Sequence, residues 1–331
     1  MENRISVVIP TYNRVKQLRG VIEWLLQSDV SHLVDVQIVI VDDGSSESYE
    51  NVMEGHEIMA PFRLKLVRQA NAGPSVARNN GLKLAENPVV LFIDDDILVE
   101  PDLIGKHMKG HQQYPGAVIY GYSPYVKPDK ETNAYRFLKK LIDVQENERK
   151  DQFILMNSIA SGNISVEKKL FQDGEMYQSD LRTPAAEEFE LMARLLKKGV
   201  KVYFNPMIIG WHLQPATIED KCKQELKYGN GIAEVAMKIP ASLEYGNLSK
   251  IFYTNCASDA RGKPAKGFRK RIRKFFSVEK RRNKLLRLVK LLERVLPFDF
   301  FLFPIYRFVV GNFLFAGVQE GIGKFGTHTN K

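Results

Sequence analysis

Three consecutive carboxylates, Asp94, Asp95 and Asp96, stand directly after the apolar run Val89-Val90-Leu91-Phe92-Ile93. Alternate acids such as Asp94 and Asp96 can converge on one divalent cation through hard oxygen ligands. Asp42 and Asp43 follow a second apolar run, Val36 to Val41, and lead into Gly44-Ser45-Ser46. Taken alone, that stretch is a turn and a helix N-cap. Arg78 lies one turn into a helix that opens at Gly73-Pro74, and a helix N-terminus with an arginine beside it suits an anionic ligand. In isolation the same residue is a surface arginine on a capped helix. Glu187 and Glu188 begin a run closed by Lys197-Lys198-Gly199, where acids at a helix start complement its dipole. His212, next to Trp211, reads by itself as a packed, hydrogen-bonded histidine.

The elements that must carry these residues are short strands buried on both faces. Ile5 to Ile9, Val36 to Val41 and Val89 to Ile93 are apolar without alternation, with a further strand near Arg63–Val67. Between them lie helical spacings such as Leu18, Val21, Ile22, Leu25 and Leu26. The spacing predicts a β-α-β-α-β-α-β series, hence an α/β fold with a mostly parallel sheet flanked by helices. In such sheets ligands bind outside the C-terminal strand ends, where the acids fall. Farther on, the pattern predicts helices over Pro101–Tyr114 and Asn133–Glu148, strands at Ala117–Gly121, 161–165 and Val200–Phe204, and a helix over 187–198.

Length and 44% apolar content allow one large domain and a small one, drawn at 1–240 and 241–331. Cys222 and Cys256 carry no metal or redox spacing, and a strand begins by Ile5, which together predict a cytoplasmic chain without a signal peptide. The net charge of +9 is local. Residues 261–294 hold 15 Lys and Arg against Glu279 and Glu293, a balance of +13, so the rest sums to −4. There basic residues interleave with Phe and Leu, as in a helix lying in a membrane interface. The stretch Val295 to Val318 is apolar but broken by Asp299, Pro304, Arg307 and Gly311, short of the roughly 20 unbroken apolar residues of a spanning helix. It is expected to be monotopic or re-entrant, with a kinked spanning helix as the other reading and an amphipathic subdomain docked on the α/β body as a third.

In this order the motifs resemble glycosyltransferase family 2, the inverting, GT-A-fold nucleotide-sugar transferases. The resemblance rests on Val7-Val8-Ile9-Pro10-Thr11-Tyr12-Asn13, Val41-Asp42-Asp43-Gly44-Ser45, Gly73 with Ala77-Arg78-Asn79 and Gly81, and Asp94-Asp95-Asp96. Gly162-Asn163, Glu187-Glu188-x-Glu190-Leu191 with Arg194-Leu195, and His212 extend it. It implies that Pro10, Thr11, Tyr12 and Asp43 line a nucleobase pocket, with Asp43 accepting from a uracil N–H. Arg78 would lie beside base and ribose, Asp95 at the ribose, and Asp96 on Mn²⁺ or Mg²⁺, with Asp94 the other arm of the motif. His212 would help hold the metal or diphosphate. The catalytic base falls on Glu188, where the family more often has Asp, with Glu187 as the alternative. A Gln-x-x-Arg-Trp motif is missing after Trp211, which implies a non-processive enzyme.

The expected function is therefore transfer of a sugar, from a UDP-sugar above all, to a lipid-linked or cell-envelope glycan by metal-assisted single displacement. The enzyme would sit on the inner face of the cell membrane, held to its anionic surface through 261–318. Two other readings are a catalytically silent nucleotide-sugar-binding scaffold and a nucleic-acid-binding protein using the basic tail. The apolar stretch after the tail favours lipid over nucleic acid.

Overall fold

In the computed structural model, which describes residues 3–49, 52, 58–143, 152–156, 159, 161–171, 176–181, 183, 186–213, 217–244, 248–256, 268–296 and 298–326, the N-terminal apolar runs become parallel strands. These are β1 (Arg4–Thr11), β2 (Asp35–Asp42), β3 (Phe62–Arg68) and β4 (Val89–Ile93), adjacent in the order β3-β2-β1-β4. The side chains of β4 and of Ile5 to Thr11 in β1 are buried on both faces, which is why their sequences lack alternation. Helices α1 (Val15–Leu26), α2 (Pro74–Leu84) and α3 (Leu103–Gln113) follow β1, β3 and a short strand β5 (Ile97–Val99). The helix expected between β2 and β3 falls partly on 50–51 and 53–57, outside the described residues; the described part, 43–49, 52 and 58–61, holds none.

Beyond β4 the sheet becomes mixed. Strand β8 (Asn163–Glu167) is antiparallel to β4 and to β6 (Val118–Tyr122), and β6 runs parallel to β9 (Val202–His212). β9 in turn pairs antiparallel with β5 and with β7 (Ile154–Met156). Where the sequence ends a strand at Phe204, β9 continues through Pro206. The register against β6 jumps from Gly121↔Asn205 to Tyr122↔Ile209, and Asn205 Oδ1 accepts from the Met207 N–H at 2.9 Å, so the bulge accommodates a proline that cannot donate to a ladder.

The chain divides into two compact units. Unit 1 (Met1–Val126, Val144–Arg182 and Arg194–Gln214) contains the whole sheet with α1 to α3. Its core packs Ile5, Ile9, Ile22, Ile38, Leu91 and Ile119, all fully buried. Unit 2 (Lys127–Asp143, Thr183–Ala193 and Pro215–Lys331) is helical. It holds α4 (Asn133–Ile142), the start of α5 (Glu187–Lys197), α6 (Ile218–Lys238), α7 (Leu248–Asn255), α8 (Phe268–Ser277), α9 (Glu279–Val295) and α10 (Asp299–Phe325). Thus α6, which precedes the boundary drawn at 240, groups with the helices after it. Of the helix expected over Asn133–Glu148, 144–148 lie outside the described residues, as do 261–267 of the basic tail.

Unit 2 is built round α10, one continuous helix of 27 residues in which Pro304 sits near the start. It packs against α6, α8, α9, α4 and α7. The closest approach is made by Gly229 of α6 and Gly317 of α10: a Cβ on Gly317 would stand 2.1 Å from the Leu226 carbonyl oxygen.

Candidate active site

The strand register places the acids of unit 1. β1 pairs with β4 at Val8↔Phe92 and with β2 at Thr11↔Asp42, so Thr11 stands at the strand ends between the Asp42-Asp43 and Asp95-Asp96 pairs. Thr11 Oγ1 donates to Asp95 Oδ2 at 2.8 Å, and the Asp43 N–H donates to the Thr11 carbonyl at 2.9 Å. Asp96 takes its position from β5. Pairing of Ile97 with His212 at the end of β9 sets His212 Nε2 3.8 Å from Asp96 Oδ1, and the Leu213 N–H donates to the Asp96 carbonyl at 2.8 Å.

Asp95 and Asp96 are both buried, and two adjoining buried carboxylates need positive charge nearby. Arg14 provides it. Its Nη1 donates to Asp95 Oδ1 at 3.0 Å and to Asp96 Oδ2 at 2.6 Å. Burial lifts the Asp95 carboxyl to about 6, against the downward pull of Arg14 and Thr11. Although burial works against its charge, the Arg14 guanidinium is held above its ordinary value by these two acids. Asp96 therefore turns Oδ2 to Arg14 and Oδ1 toward His212.

Asp94 turns elsewhere. Its Oδ1 accepts from Arg78 Nη2 at 2.7 Å, and its Oδ2 lies where a Cβ on Gly162 would meet it at 2.5 Å, so any larger residue at 162 would displace this carboxylate. Arg78, itself buried, lies over the Tyr177 ring at 5.5 Å. Asp43 holds the loop before α2: Oδ1 accepts from Gln69 Nε2 at 2.7 Å and the Ala72 N–H at 2.9 Å, and Oδ2 from the Gly73 N–H at 2.8 Å. Pro10 is buried in β1 and Tyr12 is about half exposed (48%), as a residue able to stack on a planar ligand must be.

Glu187 and Glu188 belong to unit 2. Ala186 before them is buried with φ 76, a left-handed conformation that costs a non-glycine residue about 1–2 kcal/mol, so the entry to α5 is a forced turn. Glu187 is buried while Glu188 is half-buried. Burial first, and then the Glu188 carboxylate, push the nearby Tyr228 phenol well up.

The structure thus gathers Thr11, Asp95, Asp96 and His212, pairs Arg78 with Asp94, and gives Asp43 a loop to hold. Among the described residues no three His, Cys, Asp or Glu side chains converge as a ready metal cage. Asp96 and His212 still fit a divalent cation. Mg²⁺ commonly takes only one or two carboxylates and completes its shell with phosphate and water, and Mn²⁺ favours the same oxygen donors with imidazole tolerated. Arg14 is a site residue that none of the motifs above includes. Its signal is a cation just past the end of β1, the strand adjoining the one that ends in three acids.

The family model for Glycosyl transferase family 2 matches residues 6–173. Validoxylamine A glucosyltransferase from Streptomyces hygroscopicus subsp. jinggangensis is 35% identical over 127 residues, 36% of this chain and 29% of that relative, so the match spans less than a third of its length. Among solved structures, the mannosyltransferase PcManGT from Pyrobaculum calidifontis, in complex with GDP-Man and Mn²⁺, aligns with TM-score 0.58 and 14% identity, covering 97% of this chain and 87% of that one. S. aureus TarS 1-349 in complex with UDP aligns with TM-score 0.53 and 16% identity, covering 100% and 93%. At these identities the structural likeness is one of fold.

Proposed function

The chain belongs to glycosyltransferase family 2, and on that premise we propose that it is an inverting, non-processive hexosyltransferase-type enzyme that moves a sugar from a UDP-sugar to a lipid-linked or cell-envelope glycan. The observation that carries the reading is the buried Asp95-Asp96 pair at the end of β4, with Thr11, Arg14 and His212 around it. UDP and GDP-Man in the two fold neighbours support a nucleoside diphosphate donor, and Mn²⁺ in one of them supports a divalent cation.

In this reading Tyr12, Pro10 and Asp43 receive the base and Arg78 borders base and ribose. Asp95 reaches the ribose, with Asp94 fixed behind it by Arg78. Asp96 and His212 would hold Mn²⁺ or Mg²⁺, which would supply positive charge against that developing on the leaving diphosphate. Glu188 removes the proton from the acceptor hydroxyl as that oxygen attacks the anomeric carbon from the opposite face. Its partial exposure favours it over buried Glu187 for meeting an acceptor. A single displacement inverts the centre and needs no carboxylate nucleophile. The region 261–318 holds the enzyme to the anionic inner face of the cell membrane, where a polyprenyl-linked acceptor would be presented.

A panel of nucleotide sugars, assayed for metal-dependent turnover with wild type and Glu188→Gln, tests this. One donor should be consumed by wild type, while Glu188→Gln binds it with unchanged affinity and transfers at least about 100-fold more slowly. Near-wild-type turnover by Glu188→Gln would remove that residue from the base role. No turnover of any donor by wild type would overturn the reading as a whole.

A further inference from the structure

Helix α10 has the length and apolar composition to cross a membrane, yet 56% of its most apolar 18-residue window is buried inside the protein. Tyr306, Val309, Phe315 and Val318 are fully enclosed, and Gly317 and Gly321 bring its backbone against α6. Its composition is thus accounted for by unit 2's own core. A run of exposed apolar side chains lies elsewhere, at the corner where α9 meets α10. Leu288, Leu291 and Val295 fall within about 60° of one another round α9, at 100° per residue, and all are exposed. The stripe continues into Phe298, Phe300 and Phe301, of which Phe300 is 82% exposed.

This corner is held in place. Asp299, between the phenylalanines, accepts from Arg136 Nε and Nη2 at 2.8 Å each and from Asn133 Nδ2 at 2.8 Å, so α4 fixes the start of α10 while Phe300 and Phe301 point away. Lys284, Arg287 and Arg294 are exposed along the same face of α9 and form no ion pair among the described residues. Aromatic and aliphatic side chains bordered by cations with long apolar stems are what an interfacial helix presents to anionic lipid. A second copy would bring the same cations against one another, and a duplex nucleic acid, its bases stacked inside, would leave the phenylalanines in water.

We infer that the chain rests on an anionic lipid surface through the α9–α10 corner, with Phe300 and Phe301 inserted, Lys284, Arg287 and Arg294 at the headgroups, and α10 beyond this first turn kept within the protein. The inference rests on the membrane-held transferase reading and names the residues of its contact. Flotation of the full chain with phosphatidylcholine vesicles, with and without phosphatidylglycerol, tests it. Wild type should float only with the anionic vesicles and be released by salt. Phe300→Ser/Phe301→Ser and Arg287→Glu/Arg294→Glu, at exposed positions, should keep the wild-type circular dichroism and melting while partition falls roughly tenfold or more. Leu291→Ser serves as a second apolar variant if the paired change reduces expression. Wild-type partition by the phenylalanine variant would overturn the inference. So would resistance of the cell-membrane-bound chain to alkaline carbonate, which would make α10 a span, or a gel shift with DNA in place of flotation. Nucleotide-sugar turnover measured on the same samples without vesicles keeps the two readings apart: its absence counts against the transferase alone.

Discussion

At the scale of single residues, the site depends on how two buried carboxylates are kept together. Arg14 sits within hydrogen-bond distance of both, and a cation there opposes a second cation arriving on Asp96. If Asp96 holds the metal as proposed, a divalent cation should bind weakly by itself and better with a diphosphate that adds negative charge. Arg14→Gln should therefore bind Mn²⁺ alone roughly tenfold more tightly than wild type in a calorimetric or spin-resonance titration. Tightening by UDP should shrink in the variant. Unchanged or weaker Mn²⁺ binding would mean that Arg14 serves to orient Asp96 toward His212 instead. Asp96→Asn, which keeps the shape and removes the charge, should abolish the metal requirement for donor binding, seen as equal UDP affinity with and without Mn²⁺.

Among the elements, α3 carries a polar device behind the site. Asn163 of β8 donates through Nδ2 to the Ile208 carbonyl at 3.1 Å, which leaves its Oδ1 to accept from His107 Nε2 at 2.9 Å. With both rings neutral, His107 Nδ1 accepts from Ser165 Oγ, which accepts from His111 Nε2, each at 2.8 Å. Burial is the first cause that lowers His107 to about 3 and His111 to about 4. The unfolded chain takes up these protons below about pH 6.5 and the folded chain does not, so the folded state loses stability as pH falls from there toward 4. The slope reaches about 1.4 kcal/mol per pH unit for each histidine. Denaturant midpoints at pH 7 and pH 5 should differ accordingly for wild type, and the difference should shrink in His107→Gln/His111→Gln. In unit 2, Gly317→Val should cost about 3 kcal/mol, read as a lowered melting temperature, because its side chain would collide with the α6 backbone at Leu226. Strands β1, β2 and β4 and the acidic ends of β2 and β4 were legible because burial on both faces writes a nearly unbroken apolar run. β5 was not, since three residues give no period, although its pairing with β9 helps bring His212 to Asp96. Nor were the buried histidines, whose spacing on α3 is equally that of a solvated helix face.

For the molecule as a whole, charge and apolar surface are concentrated in one region. The basic segment 261–294 outweighs an otherwise acidic chain, and the exposed phenylalanines follow directly after it in unit 2, whereas the buried carboxylate pair lies in unit 1. Composition could locate the apolar stretch but not its partner: a helix buried in protein and one buried in lipid are written with the same residues, and only packing shows that α10 is largely enclosed by protein while the α9–α10 corner is left exposed. A transferase that acts on lipid-held acceptors from such a corner gains by concentrating itself on the surface that carries them, without altering its chemistry. The two properties should then separate in kinetics. With an acceptor embedded in phosphatidylglycerol-containing vesicles, Phe300→Ser/Phe301→Ser should raise the apparent KM for acceptor about tenfold with kcat little changed, and added salt should do the same to wild type. With a short, water-soluble acceptor analogue, wild type and variant should give the same KM at either salt concentration. Equal loss with both acceptors would place the phenylalanines in the folding or catalysis of the enzyme and not at its lipid contact.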